Sequence, residues 1–334
     1  MNIMDVTLRD GGFLNGFALS SEAAAAIFTI LDNADLDGIE IGYLSGLPAD
    51  HGDYPAAGIC YAWQPEQIAN LASQALTPVV AMLHPAGPEL LRLNELAHSK
   101  LGLVRVAVTP EPDITWRPMT DSLREAGLSF TINLTLATWA TTERVLNCAI
   151  AAETAGAEIF YVADTNSSFL PRQVEDLFRR VSDVIQLPLG FHAHDGKRLA
   201  HANVLASQRG GARWADSSLG GFGRGAGNAL TEVLHEISKR APEGRYALLR
   251  SLPYVADAFG VDCAERLWLQ LGAFINIWPS TMKELELAAL ELGVNRYSLV
   301  ADKVLGSTFV NPPNQRDLRR MVGLNPAARD DNQG

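Results

Sequence analysis

The sequence predicts an α/β protein built as a single (β/α)₈ TIM barrel with a C-terminal helical appendage. Eight short runs of strand pattern alternate with longer stretches of helical pattern over roughly the first 245 residues. The chain has 334 residues, more than the about 250 that such a barrel usually needs. Alternation of this kind is typical of a parallel sheet. An open doubly wound sheet gives a similar alternation, so it is the count of eight that favours the barrel.

The predicted elements follow one another along the chain. Strands are predicted at Ile3–Leu8, Gly38–Gly42, Pro78–Leu83, Leu103–Val108, Phe130–Thr135, Ile159–Ala163, Leu187–His192 and Arg213–Leu219. Helices are predicted at Ser20–Ala34, Gln64–Gln74, Pro88–Ser99, Pro118–Glu125, Thr141–Thr154, Pro171–Val184, Arg198–Gln208 and Ala229–Lys239. Proline near a helix start and serine or threonine as a cap are the signals behind several of these starts.

The strand pattern stops after about Arg240. Further helices are predicted at Leu248–Gly260, Ala264–Leu271 and Met282–Leu292, where Trp268, Trp278 and Tyr297 are expected to serve in packing or at an interface. We therefore divide the chain into a barrel domain at 1–245, a helical region at 246–324 and a flexible polar tail at 325–334.

Composition excludes several classes of partner. The formal net charge of −11 argues against binding to nucleic acid or to an anionic membrane. No apolar run reaches the about 18 residues of a membrane span, and the N-terminus has no signal-peptide pattern. The three cysteines, Cys60, Cys148 and Cys263, are far apart and follow no ligand spacing, as expected of reduced thiols. We expect a cytoplasmic protein.

Several predicted strands carry a polar face opposite an apolar one. The polar members are Asp5, Thr7 and Arg9 on the first strand, Glu40 on the second, Arg105 on the fourth, Asn133 and Thr135 on the fifth, and His192 and His194 on the seventh. On the first strand they oppose Met4, Val6 and Leu8. Buried charge is costly unless it is paired, so a repeated polar face suggests a shared polar interior. Such an interior suits an active site at the C-terminal mouth of a barrel, although buried ion pairs without a function are the alternative.

Three residues at predicted strand ends form a candidate metal site. His192 and His194 are two positions apart, which places both imidazoles on one face of the seventh strand. Asp10 is placed at the end of the first strand, which neighbours the eighth in a closed barrel. Two imidazoles and one carboxylate leave open positions for water or substrate. This set suits Mn²⁺, Mg²⁺ or Co²⁺, and Zn²⁺ is an alternative.

A glycine-rich segment, Gly220–Asn228, follows the eighth predicted strand. Its backbone N–H groups could cradle an anion at the start of a helix. Its glycines could equally serve a tight turn that needs positive φ, and the sequence favours neither interpretation. The segment is not a dinucleotide-binding fingerprint, because it closes the alternation and lacks the acidic partner downstream.

Three ordered motifs resemble those of the DRE-TIM metallolyase superfamily. They are Asp5–Gly11, Gly190–Asp195, and Gly223–Ala229 together with Glu232. The resemblance covers roughly residues 1 to 245, and within the superfamily the chain is most similar to the branch of 4-hydroxy-2-oxovalerate aldolase and HMG-CoA lyase. It implies that Asp10, His192 and His194 bind a divalent ion, expected to be Mn²⁺, and that Asn228 is a further ligand.

The resemblance also implies roles for three charged side chains. Arg9 would stabilise the enolate oxygen, which agrees with the negative charge that develops there during carbon–carbon cleavage beside a carbonyl. Glu40 and Arg105 would support the site as neighbouring charges or simply form interior ion pairs.

The chain departs from the family pattern just after the first motif. Claisen-type synthases of the superfamily usually continue with Glu-Gln, whereas this chain has Gly12-Phe13, which disfavours an enzyme that condenses acetyl-CoA. Oxovalerate aldolases carry a catalytic histidine shortly after this motif, and residues 13 to 17 contain none. The candidates for the base are Tyr43, His84, Asp164 and a metal-bound water.

Taken together, the sequence predicts a metal-dependent aldolase-type carbon–carbon lyase that acts on a 2-oxo acid through a pyruvate enolate. The alternatives are an acyl-CoA lyase or Claisen-type synthase of the same superfamily, and a non-catalytic metal-binding barrel subunit. The expected partners are a small 2-oxo acid substrate and further copies of the chain, with neither nucleic acid nor membrane. Oxovalerate aldolases often associate with a partner dehydrogenase, but no such surface can be read from this sequence.

Overall fold

A computed structural model describes residues 1–47, 57–85, 92–110, 115–262, 268, 279–304 and 315–324. Eight parallel strands close into one barrel in the order β1 to β8, and β1 pairs with β8. This closure confirms the predicted (β/α)₈ barrel and excludes the open sheet.

The strands and helices lie close to the predicted positions. The strands are β1 Asn2–Asp5, β2 Gly38–Tyr43, β3 Val79–Leu83, β4 Leu103–Val108, β5 Phe130–Leu134, β6 Phe160–Asp164, β7 Leu189–Ala193 and β8 Ala212–Ser217. The helices of the barrel are α1 Thr7–Asp10, α2 Ser21–Asp32, α3 Pro65–Ala72, α4 Leu93–His98, α5 Arg117–Glu125, α6 Thr142–Ala155, α7 Pro171–Ser182, α8 Ala200–Arg209 and α9 Thr231–Ile237. They are followed by α10 Pro242–Ala258, α11 Pro279–Leu292, α12 Arg296–Lys303 and α13 Gln315–Met321.

The predicted caps explain where two long helices begin. The Ser20 hydroxyl accepts a hydrogen bond from the Ala23 N–H at 3.1 Å, and the Thr141 hydroxyl accepts one from the Arg144 N–H at 3.3 Å. Each bond satisfies a backbone donor that has no partner within its helix. The sequence signals therefore mark the starts of α2 and α6.

The two faces of the strands separate as predicted on β2, β4, β5 and β7. The outward side chains belong to the hydrophobic core between strands and helices, among them Ile39, Val106, Ile132 and Phe191. The inward side chains are polar and buried, among them Glu40, Arg105, Asn133 and His192. On these four strands, polar side chains therefore face the barrel interior and apolar side chains face the helices.

The first strand differs from the prediction, because β1 ends at Asp5 and does not extend to Leu8. The Asp5 carboxylate accepts a hydrogen bond from the Thr7 N–H at 2.8 Å, and the chain then turns into α1. This local bond offers the backbone an alternative to the strand ladder. Asp10 consequently lies on a helical turn beyond the strand, and the predicted strand end at this residue is wrong.

The turn also changes which side chains of the first motif face the interior. Asp5 points outward and accepts a hydrogen bond from the Thr231 hydroxyl of α9 at 2.5 Å. Met4 and Val6 pack with Val80, and Leu8 joins the outer core. The predicted grouping of Asp5 with the polar interior face is therefore wrong, because the strand alternation does not continue through the motif.

Asp5 is fully buried, and that burial raises the pKa of its carboxyl to about 6, with the hydrogen bonds from Thr231 and Thr7 acting in the opposite direction. The folded protein therefore holds a proton on Asp5 more tightly than the unfolded chain does. The stability that this group contributes is present below about pH 4 and is lost as the pH rises through about 6.

We expect Asp5→Asn to remove this pH dependence, because the amide does not ionise. Relative to the variant, the unmodified protein should lose stability on the order of 3 kcal/mol between about pH 4 and pH 7. Thermal midpoints of both proteins across this range measure the difference, with the exposed Asp183→Asn as the matched control. A difference in midpoint that does not change with pH would contradict the assignment.

The helices after the barrel pack against its outer layer. Helix α10 contacts α2 and α9, and the ring of Phe259 lies 2.7 Å from the position of a Cβ on Gly11, which leaves room only for glycine. The rings of Trp268 and Tyr297 are buried against each other, with centroids 5.5 Å apart, so both serve in packing. None of the described helices is long and apolar enough to cross a membrane.

Some predicted features lie outside the described residues. They are the tail at 325–334, Trp278, Cys263, the start of the helix predicted at Pro88–Ser99 and, apart from Trp268, the helix predicted at Ala264–Leu271.

Candidate metal centre and active site

The three predicted metal ligands meet at the C-terminal mouth of the barrel. One ligand atom from each of Asp10, His192 and His194 lies within 4.8 Å of the others, and all three residues are buried. Asp10 is presented by α1, whereas His192 lies on β7 and His194 immediately follows that strand. The closed barrel thus brings together residues that are about 180 positions apart in the sequence.

The hydrogen bonds of the two imidazoles define which ring nitrogens are free to bind an ion. His194 Nδ1 lies 3.2 Å from the Gly227 carbonyl oxygen, which can only accept, so this nitrogen carries the proton. His192 Nδ1 lies 2.9 Å from the Asp216 carboxylate and donates to it. When both rings are neutral, each Nε2 therefore carries a lone pair, and the two Nε2 atoms lie 3.2 Å apart. An ion coordinated by both rings would use these two lone pairs.

The protonation states also fit a metal site. Burial would raise the pKa of the Asp10 carboxyl, but the charge of Arg9, together with the hydrogen bond from Asn228, outweighs it and holds that pKa well below its usual range. Burial lowers the pKa of His194 to about 4. An ionised carboxylate and a neutral imidazole are the forms that bind a divalent ion. The site is therefore ready to bind at neutral pH without first losing protons from these two residues.

A buried chain of alternating charges joins two of the ligands through the barrel interior. Its members, in order, are Asp10, Arg9, Glu40, Arg105, Asp216 and His192. Arg9 Nε donates to Glu40 at 2.7 Å, and Arg105 Nη2 donates to Asp216 at 2.6 Å. Each buried charge has an opposite charge beside it, which offsets the cost of removing it from water. Glu40 and Arg105 form interior ion pairs that link the cluster residues, which agrees with both interpretations predicted for them.

Asp216 is a member of this chain that sequence reasoning missed. It lies on β8 and is buried, and although burial would raise the pKa of its carboxyl, the charge of Arg105 and the hydrogen bond from His192 hold it below the usual value. By accepting the Nδ1 proton of His192, it orients the ring and keeps the lone pair on Nε2. A lone aspartate on a predicted strand carries no spacing signal that could have revealed this contact.

We expect Asp216→Asn to weaken the binding of Mn²⁺ by about 10- to 100-fold, because an amide holds the His192 ring and tautomer less firmly. Isothermal titration of the metal-stripped protein with Mn²⁺ measures the change. Asp183→Asn, an exposed substitution of the same chemistry, should leave the affinity unchanged. Equal affinities for the two variants would mean that Asp216 does not orient the ligand.

Asn228 lies beside the cluster, where its amide supports Asp10. Its Nδ2 donates to Asp10 at 2.7 Å and to the Ser218 hydroxyl at 3.2 Å. Its Oδ1 is buried and accepts no hydrogen bond within the described part of the chain. A Cβ on Gly223 would lie 2.3 Å from the amide nitrogen and 2.5 Å from Asp10, so only glycine fits against this pair. That Asn228 is itself a ligand stays a prediction.

The glycine-rich segment supports the interpretation as a tight turn. Gly220, Gly221, Gly225 and Gly227 all have positive φ, between 62° and 85°. Two amides of the segment bind carboxylates of the chain itself, one from residue 220 to Glu232 at 3.1 Å and one from residue 224 to Asp10 at 3.3 Å. The turn thus helps to position a metal ligand.

A cavity of about 690 Å³ opens over the metal cluster and contains all three predicted catalytic residues, Arg9, Tyr43 and His84. The rings of Tyr43 and His84 are stacked, with centroids 5.6 Å apart. Burial raises the pKa of the Tyr43 hydroxyl well above its usual value, with Arg9 acting in the opposite direction. A phenol of this kind keeps its proton at neutral pH, so it suits a donor better than a base.

Asp164 is removed from the candidates for the catalytic base. Its carboxylate accepts hydrogen bonds from the Ser168 N–H at 2.7 Å and the Phe169 N–H at 3.1 Å. Both oxygens therefore hold the loop that follows β6, and the residue does not line the cavity.

Two further cavity residues were not predicted from the sequence. The guanidinium of Arg224 lies 5.0 Å from the centroid of the Phe13 ring, and both residues line the cavity. On the opposite side, Trp139 lines the cavity with an indole ring that is 72% exposed.

Comparison with known proteins finds relatives in sequence and similar folds among solved structures. The HMGL-like family model matches residues 114–246. A 4-hydroxy-2-oxovalerate aldolase from Geobacillus thermodenitrificans is 31% identical over 240 residues, which are 71% of this chain and 69% of the relative. A protein of the same name from Nocardia farcinica is 31% identical over 243 residues, 72% of this chain and 69% of the relative.

Among solved structures, similar folds occur in two kinds of enzyme. An HMG-CoA lyase from Acinetobacter baumannii, solved in complex with coenzyme A and 3-methylmalate, has a TM-score of 0.64 and 18% identity, covering 78% of this chain and 92% of that one. The carboxyl transferase domain of pyruvate carboxylase from Rhizobium etli, solved with pyruvate, has a TM-score of 0.61 and 18% identity, covering 91% of this chain and 56% of that one. At these identities the structural likeness supports the fold alone.

Proposed function

Since the chain belongs to the HMGL-like family of the DRE-TIM metallolyase superfamily, we propose that it is a divalent-metal-dependent aldolase that acts on a 4-hydroxy-2-oxo acid, with pyruvate as the enolate partner. The observation that carries the metal dependence is the meeting of three buried ligand atoms, with the two Nε2 atoms 3.2 Å apart beside the Asp10 carboxylate. Aldolase relatives at about 30% identity support the reaction class.

The charge of the site favours a substrate that is a monoanion. The buried chain contains three carboxylates and two guanidiniums, which leaves one net negative charge. A bound divalent ion would turn this into one net positive charge, and a 2-oxo acid carboxylate would then neutralise it. We propose Mn²⁺ as the ion because a mixed set of imidazole and carboxylate ligands with open positions suits it, with Mg²⁺, Co²⁺ and Zn²⁺ as alternatives.

A divalent ion held by Asp10, His192 and His194 would act as a Lewis acid toward the enolate oxygen. Arg9 is positioned by Glu40 and Asp10 at the edge of the cavity, where its guanidinium can donate to the same oxygen as charge develops. Because its partners already hold it in place, little reorganisation is needed during the reaction.

We propose His84 as the base and Tyr43 as the proton donor. Both lie in the cavity at the ends of neighbouring strands, and their stacked rings place them together. In the cleavage direction the base removes the proton from the C4 hydroxyl, and the C3–C4 bond breaks to give an aldehyde and the pyruvate enolate. The high pKa of Tyr43 keeps its hydroxyl protonated, so it can return a proton to the enolate carbon.

We expect His84→Asn to lower the rate at which a 4-hydroxy-2-oxo acid is cleaved by about 10²- to 10⁴-fold, the usual contribution of a general base. The affinity for Mn²⁺ should not change, because His84 lies outside the metal cluster. Release of pyruvate followed by proton NMR measures the rate, and isothermal titration measures the affinity. A variant that keeps the full cleavage rate would shift the role of base to metal-bound water.

The proposed function can be tested with pyruvate alone, before the aldehyde partner is known. The protein is incubated with pyruvate in D₂O, and loss of the methyl proton signal is followed by NMR. We expect exchange that is abolished by EDTA and restored by Mn²⁺, with the other three ions added in parallel. Absence of exchange from protein shown to contain metal would contradict the assignment of pyruvate as the enolate partner.

A further inference from the structure

The cavity wall formed at the ends of β4, β5 and β6 carries polar side chains, beside the metal cluster at β6 and across from it at β5. The metal ligands belong to β7 and to the segments that follow β1 and β7, and in the closed order of the barrel β5 lies across the mouth from β1. The ends of β4, β5 and β6 supply hydroxyl and amide side chains to the cavity, namely Thr109, Asn133, Thr135, Thr165, Asn166 and Ser167. A substrate bound through its 2-oxo acid end would extend toward this wall.

Two of these hydroxyls show how the wall can bind a ligand. The Thr165 oxygen accepts a hydrogen bond from the Leu136 N–H at 2.9 Å, which leaves its O–H to donate. The Thr135 hydroxyl donates to the Val108 carbonyl at 2.9 Å, which leaves its oxygen to accept. A hydroxyl carries one donor and two acceptor positions, so both side chains keep hydrogen-bonding capacity toward the cavity. The wall therefore offers a donor and an acceptor at positions held by the backbone.

An aromatic ring completes this wall at the rim. Trp139 ends the turn Ala137–Trp139, lines the cavity and is 72% exposed, so its ring is accessible to a ligand. The turn is preceded by Leu136, which lines the cavity and has a left-handed φ of 52°. Such a conformation costs energy in a leucine and occurs at functional sites. The turn thus places the indole ring at the rim of the cavity.

The cavity is also much larger than a short aldolase substrate requires. Its volume of about 690 Å³ lies in the range of pockets that enclose drug-sized molecules, about 300–1,000 Å³. Pyruvate together with acetaldehyde amounts to only nine non-hydrogen atoms. The space between the metal cluster and Trp139 therefore accommodates a longer partner.

We infer that the aldehyde partner is a polyhydroxylated chain of the aldose type, bound by the hydroxyl and amide wall and by the face of Trp139. This inference rests on the proposed function. The hydroxyls of such a chain match the donors and acceptors of the wall. Its C–H groups carry partial positive charge, because each carbon bears an oxygen, and they are attracted to the negative face of the indole ring.

The reaction balances without a further reagent. In the synthetic direction a base removes one proton from the pyruvate methyl group, and the enolate carbon then forms a bond with the aldehyde carbon. The aldehyde oxygen takes up a proton and becomes the C4 hydroxyl of a polyhydroxylated 2-oxo acid. No oxidant, reductant or thioester takes part.

The test compares two aldehydes of equal chain length, propanal and glyceraldehyde, in the metal-loaded protein with pyruvate. We expect kcat/KM for glyceraldehyde to exceed that for propanal by at least tenfold. In Trp139→Ala this ratio should fall by fivefold or more, and in Trp139→Phe it should be largely retained. The intrinsic reactivities of the aldehydes cancel when ratios are compared between proteins. Leu76→Ala, an exposed apolar residue away from the cavity, is the control and should change nothing.

The outcomes separate this inference from the proposed function. If pyruvate exchange occurs, two results overturn the polyhydroxylated partner and leave the aldolase assignment intact. One is a ratio of kcat/KM for glyceraldehyde to that for propanal near one, and the other is a ratio that Trp139→Ala does not change. Absence of pyruvate exchange from metal-loaded protein overturns pyruvate as the enolate partner, and the aldehyde partner inferred from it is overturned as well.

Discussion

His192→Ala is expected to lower metal-dependent pyruvate exchange on the order of 10³-fold or more. Loss of this imidazole leaves Asp10 and His194 as the cluster and removes the Nε2 of a ring whose Nδ1 is held by its hydrogen bond to Asp216. A metal ion contributes several kcal/mol to stabilisation of the developing charge, and about 1.4 kcal/mol corresponds to a tenfold rate change. Exchange measured by NMR, together with metal content by elemental analysis, tests this.

Two variants make the result specific. His98→Ala replaces an exposed histidine on α4 and should keep both the metal and the exchange. His194→Ala removes the other imidazole and should reproduce the loss, whereas its circular dichroism and thermal midpoint report whether the barrel is still folded. A folded His192→Ala protein that retains metal and full exchange would show that the ion is not held at this cluster.

The barrel and the two histidines of the candidate metal cluster could be predicted because each has a repeating or closely spaced signal. The outward side chains of β2, β4, β5 and β7 alternate with polar ones, and this period of two identifies a strand whatever it pairs with. The His-Ala-His spacing places both imidazoles on one side of a strand that ends at the mouth.

The rest of the site depends on contacts between residues that are distant in the sequence. Asp216 is held by Arg105, which is 111 residues away, and no sequence pattern links the two positions. The apolar alternation after Asp5 predicts a longer first strand than the structure has. A single hydrogen bond from the Thr7 N–H to the Asp5 carboxylate redirects the backbone there, and the alternation does not reveal it. Exposure of Trp139 follows only from how the turn after β5 sits on the finished barrel.

Arg9→Lys is expected to lower kcat for pyruvate exchange by 10²- to 10³-fold at saturating Mn²⁺, the range found when one donor to a developing oxyanion is removed. Lysine keeps the positive charge but lacks the planar fork that contacts Glu40 through Nε and Asp10 through Nη1. It therefore cannot hold both partners and still present a donor in the same place. The rate at saturating metal, measured by NMR, separates this loss from any weakening of metal binding.

The contrast with Asp216→Asn decides what Arg9 does, because the two residues lie near opposite ends of one chain of charges. Asp216 pairs with Arg105 and accepts the Nδ1 proton of His192, so its loss should weaken Mn²⁺ binding and leave most of kcat once the metal is saturating. Arg9 is proposed to donate to the enolate oxygen itself, so its replacement should reduce kcat even when the metal is fully bound. If both variants lost metal affinity and rate in the same proportion, Arg9 would act only by positioning Asp10, and direct stabilisation of the enolate would have to come from the ion alone.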